Sequence, residues 1–343
     1  MDGWDSYCRT IRKNRNITYD CFRECEILDT PEKWVGGVYF RGCIYGITNS
    51  SRNCVCIDPI KKTYGYFGKT KIGTFKWTGG CVYHERIYGF PRKENSLLVI
   101  DPDRNELYTQ SLDTHYHGEH HYGGVCTEEG IIYQPPRNCD HILKINLCSF
   151  ETGKILVTEN DAVCRYCGSV LLPDGDIWMI PENGYRLLLF HPKTETVEHI
   201  GMPIPALVFG PVVGEDGNIY GFCKDGNGLL KIDTKRRKPE MICQEIGNPG
   251  CYGSVVGVNG DIFGIPANGN GIWRFCVESQ RAEKIFDLSE AKCEAKCAGA
   301  GVGTDGTICM IPAFGNKLIF LGSSARIQIE EASIQSQYLN TFY

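Results

Sequence analysis

No stretch of this chain approaches the roughly 20 consecutive apolar residues that a membrane-spanning helix requires, so no helical span is expected. The opening residues, MDGWDSYCRTIRKNRN, lack an apolar core of the secretory type. Arg9, Arg12, Lys13 and Arg15 make that segment basic, but Asp2 and Asp5 argue against a transit peptide. A cytoplasmic location is the expectation. Positive charge is also short: 36 Lys and Arg face 41 Asp and Glu, for a net charge of −5. Nothing therefore favours nucleic acid as a partner. The chain has no nucleophile elbow, no Walker loop and no HExxH motif, which removes the commonest sequence marks of hydrolases and nucleotide enzymes. Its carboxylate pairs, Glu128-Glu129 and Glu330-Glu331, are adjacent in sequence. Neighbours on a strand point to opposite faces, so these pairs do not suggest joint acid and base work.

What is abundant is glycine, with 40 of 343 residues, and cysteine, with 19. The glycines point to many tight turns. Cys43, Cys56, Cys126, Cys223, Cys276 and Cys309 sit inside apolar, strand-like runs. Thiols there behave as small buried hydrophobes, and mostly free thiols are expected in the cytoplasm.

One unit recurs along nearly the whole chain. Its second strand reads CIYGI, RIYGF, IIYQP, DIWMIP, NIYGF, DIFGIP and TICMIP, centred on Tyr45, Tyr88, Tyr133, Trp178, Tyr220, Phe263 and Cys309. The steps between these centres are 43, 45, 45, 42, 43 and 46 residues. A third strand follows each at a matching offset, as in CVCIDP and LLVIDP. First and second strands join through EEG, PDG, EDG, VNG and TDG, whose terminal glycines suit the positive φ of hairpin turns. Each unit thus reads as a four-stranded antiparallel meander. Units of this period predict an all-β, seven-bladed β-propeller.

Blades are expected to start near residues 34, 77, 121, 165, 208, 251 and 297 of a single domain spanning 18–331. An extension, 1–17, and a tail, 332–343, flank it. Two segments compete to supply the outer strand of blade seven: residues 18–23, and ARIQIEE near the C-terminus. The expected seal brings both termini to that blade. Gly37, Gly80, Gly168, Gly210 and Gly253 suit the crowded centre where the first strands converge.

The YG-P motif paired with a following IDP resembles propellers of the streptogramin-lyase and gluconolactonase-like group, and more loosely NHL repeats. It is similar above all to protist proteins built of GG, IYGIP and LxIDP units, whose function is mostly unassigned. The resemblance spans residues 34–330. It implies the fold, and for lactonase-like members a central divalent metal held by acidic and amide ligands. No such ligand set can be matched onto this chain, and propellers host many unrelated activities.

Candidate sites come from the loops. The second-to-third-strand loops carry Arg52, Arg92, Arg137, Arg186, Lys224 and Lys317, an expected basic ring for an anionic ligand or an acidic protein partner. The opposite face leans acidic through Glu128, Glu129, Asp174, Glu215, Asp216 and Asp305. The competing explanation is that Asp-Gly reflects turn chemistry alone. The loop DTHYHGEHHY gathers His115, His117, His120 and His121, weak candidates for a transition metal. In CRYC, Arg165 stands ready to lower the pKa of Cys164 or Cys167. Channel-entry positions read Tyr122, Tyr166, Phe209, Tyr252 and Ala298, which are aromatic or small rather than acidic. The leading expectation is a non-catalytic binding or scaffolding propeller without a cofactor, in one version a structural subunit of a larger complex. The alternative is a metal-dependent hydrolase or lyase of the gluconolactonase type, and a carbohydrate-binding propeller using Trp34, Tyr116 and Tyr185 is a third.

Overall fold

The computed structural model describes residues 17–19, 21–26, 33–114, 119–157, 164–182, 184–269, 271–288 and 296–322. They form seven four-stranded antiparallel sheets. Blade one is typical: Trp34–Phe40, Cys43–Thr48, Cys54–Asp58 and Thr63–Phe67, laid side by side from the centre outward. The inner three strands of each blade carry the buried residues, whereas outer strands such as Glu106–Ser111 are largely solvated on one face. The only helical segment among the described residues is a single 3-10 turn, Gln244–Ile246. No helix here is long and apolar enough to cross a membrane.

Turn chemistry explains why each unit folds where it does. Gly130, Gly175, Gly217, Gly260 and Gly306 all have φ between 77° and 93° and close the first-to-second-strand hairpins. In four of these turns an Asp or Asn side chain accepts a hydrogen bond from the amide two residues on. The pairs are Asp174 with Asp176 (3.0 Å), Asp216 with Asn218 (3.1 Å), Asn259 with Asp261 (3.1 Å) and Asp305 with Thr307 (3.0 Å). Turn formation thus accounts for Asp174, Asp216 and Asp305, half of the acidic residues expected on that face.

Two blades start later than the sequence suggests. The inner strand of blade three is only Val125–Cys126, and that of blade five only Val212–Val213. Gly123 and Gly124 (φ 68° and 158°) precede the first, and Gly210 (φ 43°) with Pro211 the second. These residues leave the extended region or lack an N–H, so the ladder begins beyond them.

The N-terminal segment closes the ring. Cys21–Glu26 pairs antiparallel with Lys317–Gly322, the third strand of blade seven, from Cys21 opposite Gly322 to Glu26 opposite Lys317. The outer strand therefore begins three residues later than expected. The rival segment ARIQIEE, like the tail and all of the extension 1–17 but Ile17, lies outside the described residues. Tyr19 anchors the entry. Its ring packs edge-on against Phe263 at 4.5 Å, and its hydroxyl donates to Gly306 O (2.9 Å) and accepts from Val258 N (3.2 Å).

Candidate functional site

Antiparallel alternation brings the second-to-third-strand loops and the loops entering each first strand to one face. At its centre the channel mouth is filled by side chains. Phe209 and Tyr252 stack at 4.3 Å, Tyr122 lies 5.7 Å from Phe209, and the hydroxyls of Tyr122 and Tyr252 are 2.7 Å apart. Val35, Cys167, Ala298 and Ala313 pack into the same cluster. Burial pushes both tyrosine hydroxyls above their ordinary range, so they remain protonated near neutrality and supply no general base.

Three of the six sequence-predicted bases gather on this plug. The Arg92 and Arg137 guanidiniums lie 4.8 and 4.6 Å from the Tyr122 ring centre. The Lys224 ammonium lies 5.6 and 5.5 Å from those of Phe209 and Tyr252. Cation–π attraction favours this placement where water is scarce. Glu119 joins the two arginines, its Oε1 accepting from Arg92 Nε at 2.9 Å and from Arg137 Nη1 at 2.7 Å. Glu182 continues the network, 3.1 Å from Arg137 Nε and 3.7 Å from Arg165 Nη1. Arg92 is nearly buried, while half of the Arg165 side chain is exposed.

Arg52 and Arg186 do not join them. Arg52 Nε donates to Thr70 O (3.3 Å), just past the outer strand of its own blade. Arg186 donates to Gly201 O and His199 O, both at 2.8 Å, at the periphery of blade four. Lys317 starts the third strand of blade seven. Arg92, Arg137 and Lys224 thus form a central group, each turned inward over an aromatic ring, while Arg52 and Arg186 bond at the periphery of their own blades.

The histidine loop also divides. His115 and His117 lie outside the described residues. His120 and His121 are described, and His121 is buried with Nε2 3.4 Å from Cys139 Sγ. Its pKa is pushed down to about 3 by burial and by nearby His141, while burial pushes Cys139 up to about 11. The reactive-thiol expectation for CRYC fails, since burial raises both Cys164 and Cys167, and Arg165 reaches Glu182. Fifteen of the nineteen cysteines, including Cys139, Cys164 and Cys167, are free thiols.

A channel metal of the lactonase kind does not fit the residues present. The plug is aromatic and aliphatic, and its two carboxylates are engaged by arginines. Of the nearby buried amides, Gln134 Nε2 donates to Pro91 O (2.9 Å) and Gly123 O (2.8 Å), and Asn49 Nδ2 to Trp77 O (2.9 Å). The buried Gln134 Oε1 has no hydrogen-bond partner among the described residues, a lone acceptor rather than a ligand set.

On the opposite face a cavity of about 410 Å³ opens where blade three has its short inner strand. Glu128, Glu129, Asp174 and Lys193 rim it, and Cys81, Phe90 and Tyr133 are among its lining. Sequence reasoning missed Glu119 and Glu182 as arginine partners, because a lone acid in a loop carries no signal of what it faces. It also missed Lys76, buried with Nζ donating to Ser51 O and Thr70 Oγ1, both at 2.7 Å. Desolvation pulls the pKa of that lysine down to about 8.

No family model matches the chain, and no curated protein matches it in sequence. Solved structures do. A streptogramin B lyase is 17% identical with a TM-score of 0.72, the match covering 88% of this chain and 98% of that one. Virginiamycin B lyase from Staphylococcus aureus is 15% identical with a TM-score of 0.71, over 88% and 99%. A chain of the mitotic checkpoint complex is 9% identical with a TM-score of 0.67, over 91% and 94%. At these identities the likeness shows the propeller fold, which a lyase and a subunit of a complex share.

Proposed function

We propose that this chain is a non-catalytic binding propeller whose loop face receives an acidic segment of a protein partner at the plugged channel mouth. The observation that carries this reading is the convergence of Arg92, Arg137 and Lys224 on one aromatic plug. With Arg165, four cations stand there against Glu119 and Glu182. Exposed Asp225 beside Lys224 reduces the excess without removing it. Glu119 grips two guanidiniums as an incoming carboxylate would, so the donors are already oriented and lose little freedom on binding. The aromatic faces exclude water and strengthen each charge contact. The cavity on the other face has one base among several acids, and so suits such a partner poorly.

The direct test is titration of the protein with a fluorescent hexaglutamate peptide. Binding is expected at low salt, weakened by added salt, and reduced about tenfold or more by Lys224→Glu, in keeping with loss of a desolvated charge contact. Absence of binding at low salt, or equal binding by Lys224→Glu, would refute the assignment.

A further inference from the structure

We propose that His121, Cys139 and His141 form a three-ligand site for a thiophilic transition ion of the zinc type, set on the loop face of blade three. The ligand atoms of these three side chains lie within 4.8 Å of one another. The separation of 3.4 Å between His121 Nε2 and Cys139 Sγ is close to the edge of a zinc tetrahedron. Bond lengths of about 2.3 Å to sulfur and 2.0–2.1 Å to nitrogen place that edge near 3.6 Å. His141 Nδ1 is held by Asp140 Oδ1 at 2.7 Å, the carboxylate–histidine arrangement that fixes an imidazole's tautomer and leaves Nε2 with the lone pair. One thiol and two imidazoles suit zinc or copper(I) and do not suit calcium or magnesium.

The repeat itself supplies an independent argument. His121 pairs with Pro136 as Trp77 pairs with Pro91 and Tyr166 with Pro181. It therefore occupies the first-strand position of Trp34, Trp77 and Tyr166. Those side chains each donate to the carbonyl that opens the third strand: Asn53 O (2.7 Å), Ser96 O (2.7 Å) and Arg186 O (3.2 Å). His121 Nε2 lies in the same place, 3.3 Å from His141 O, and as a metal ligand would carry its ring proton on Nδ1 and give up any donation to that carbonyl. An imidazole filling an aromatic slot would explain His121 alone. It does not explain the two loop residues that face it. In the same loop register, Cys139 replaces Ser51, Glu94 and Gly184, and His141 replaces Asn53, Ser96 and Arg186. Blade three alone of these four puts three soft donors at the three positions. The Cys139 thiol is protonated in the free protein, so its proton leaves as the metal–sulfur bond forms. Three protein ligands leave a fourth position for an external donor.

The test is a titration of the full chain, stripped by chelator and kept reduced, with Zn(II) against a chromophoric competitor, and with Co(II) as a spectroscopic probe. One equivalent is expected, with a thiolate-to-cobalt charge-transfer band. Cys139→Ser should abolish that band and weaken Zn(II) on the order of 100-fold. His121→Trp restores the residue type of blades one and two, so it should stay folded, by an unchanged circular dichroism melt, while losing the metal to a similar degree. Replacing His115 and His117 should change nothing. The proposal is overturned by absence of one-to-one binding, by a cobalt band that survives Cys139→Ser, or by loss of binding in the His115 and His117 variants with retention in His121→Trp.

Discussion

Two glycines illustrate how differently one residue type acts in this molecule. Gly217 sits in a hairpin turn at φ 80°, and a methyl group there would meet nothing within 4 Å. Gly37 has an ordinary φ, yet its Cβ would lie 2.7 Å from Ala300 O and 2.8 Å from Ile311 Cδ1, across the junction with blade seven. Gly217→Ala should therefore cost about 1–2 kcal/mol of backbone strain and nothing more. Gly37→Ala forces one blade away from another and should cost more, since overpacking typically costs 1–3 kcal/mol and here meets rigid backbone. Urea midpoints of the two variants check this, and a Gly37→Ala midpoint equal to wild type would dismiss the close-packed centre. The turn role of Gly217 is legible in the sequence, because Asp-Gly between strands has one chemistry. The inter-blade role of Gly37 is legible only as a tendency, since it depends on a residue 263 positions away in sequence.

The segment through Tyr19 and Cys21–Glu26 closes blade seven, whose other three strands come from the far end of the chain. Beside strand pairing and core packing, a single buried hydroxyl, that of Tyr19, bridges blades six and seven. Tyr19→Phe keeps the contact with Phe263 but leaves the Val258 N–H and Gly306 carbonyl without this partner. A loss of about 1–3 kcal/mol is expected. Limited proteolysis should show faster cleavage near the N-terminus, and a variant as resistant as wild type would mean that strand pairing alone holds the seal. The units themselves were readable because second-strand apolar runs and turn residues repeat at a fixed step. The short inner strands of blades three and five were not, because Gly123-Gly124 and Gly210-Pro211 read as ordinary first-strand glycines until their dihedrals are seen. The mouth network was half legible. Arg92, Arg137 and Lys224 stand out as loop bases, but nothing in their spacing separates them from Arg52 and Arg186. The difference lies in whether an aromatic ring occupies the adjoining central position, and that adjacency arises between blades.

At the scale of the whole molecule, the free thiols distributed through the ring set its response to alkali. Burial holds Cys54 and Cys223 up to about 12 and raises Cys81, Cys167 and Cys251 further above the ordinary range near 8.5. Above that range the unfolded chain releases thiol protons that the folded chain retains. The unfolded state then binds fewer protons, and stability must fall as pH rises. Each such thiol contributes a slope of about 1.4 kcal/mol per pH unit. Two groups oppose this. Lys76, held down to about 8, gains stability between pH 8 and the ordinary lysine value, and Cys43, lowered to about 7 by its hydrogen bond from Cys56, gains below pH 9. These five thiols, joined by Cys56, Cys139, Cys164 and Cys243, which are also raised, outweigh the two opposing groups and leave a net loss. Against a typical total of about 5–15 kcal/mol, the fold should fail within one to three pH units above 9. Urea midpoints measured with reductant present should be nearly level from pH 7 to 8.5 and drop steeply by pH 10. The double variant Cys54→Ala with Cys251→Ala, although less stable at neutral pH, should show a shallower decline. A midpoint that holds level to pH 10 would mean that the buried thiols ionise in place, and that the ring admits water where its packing leaves no room for it.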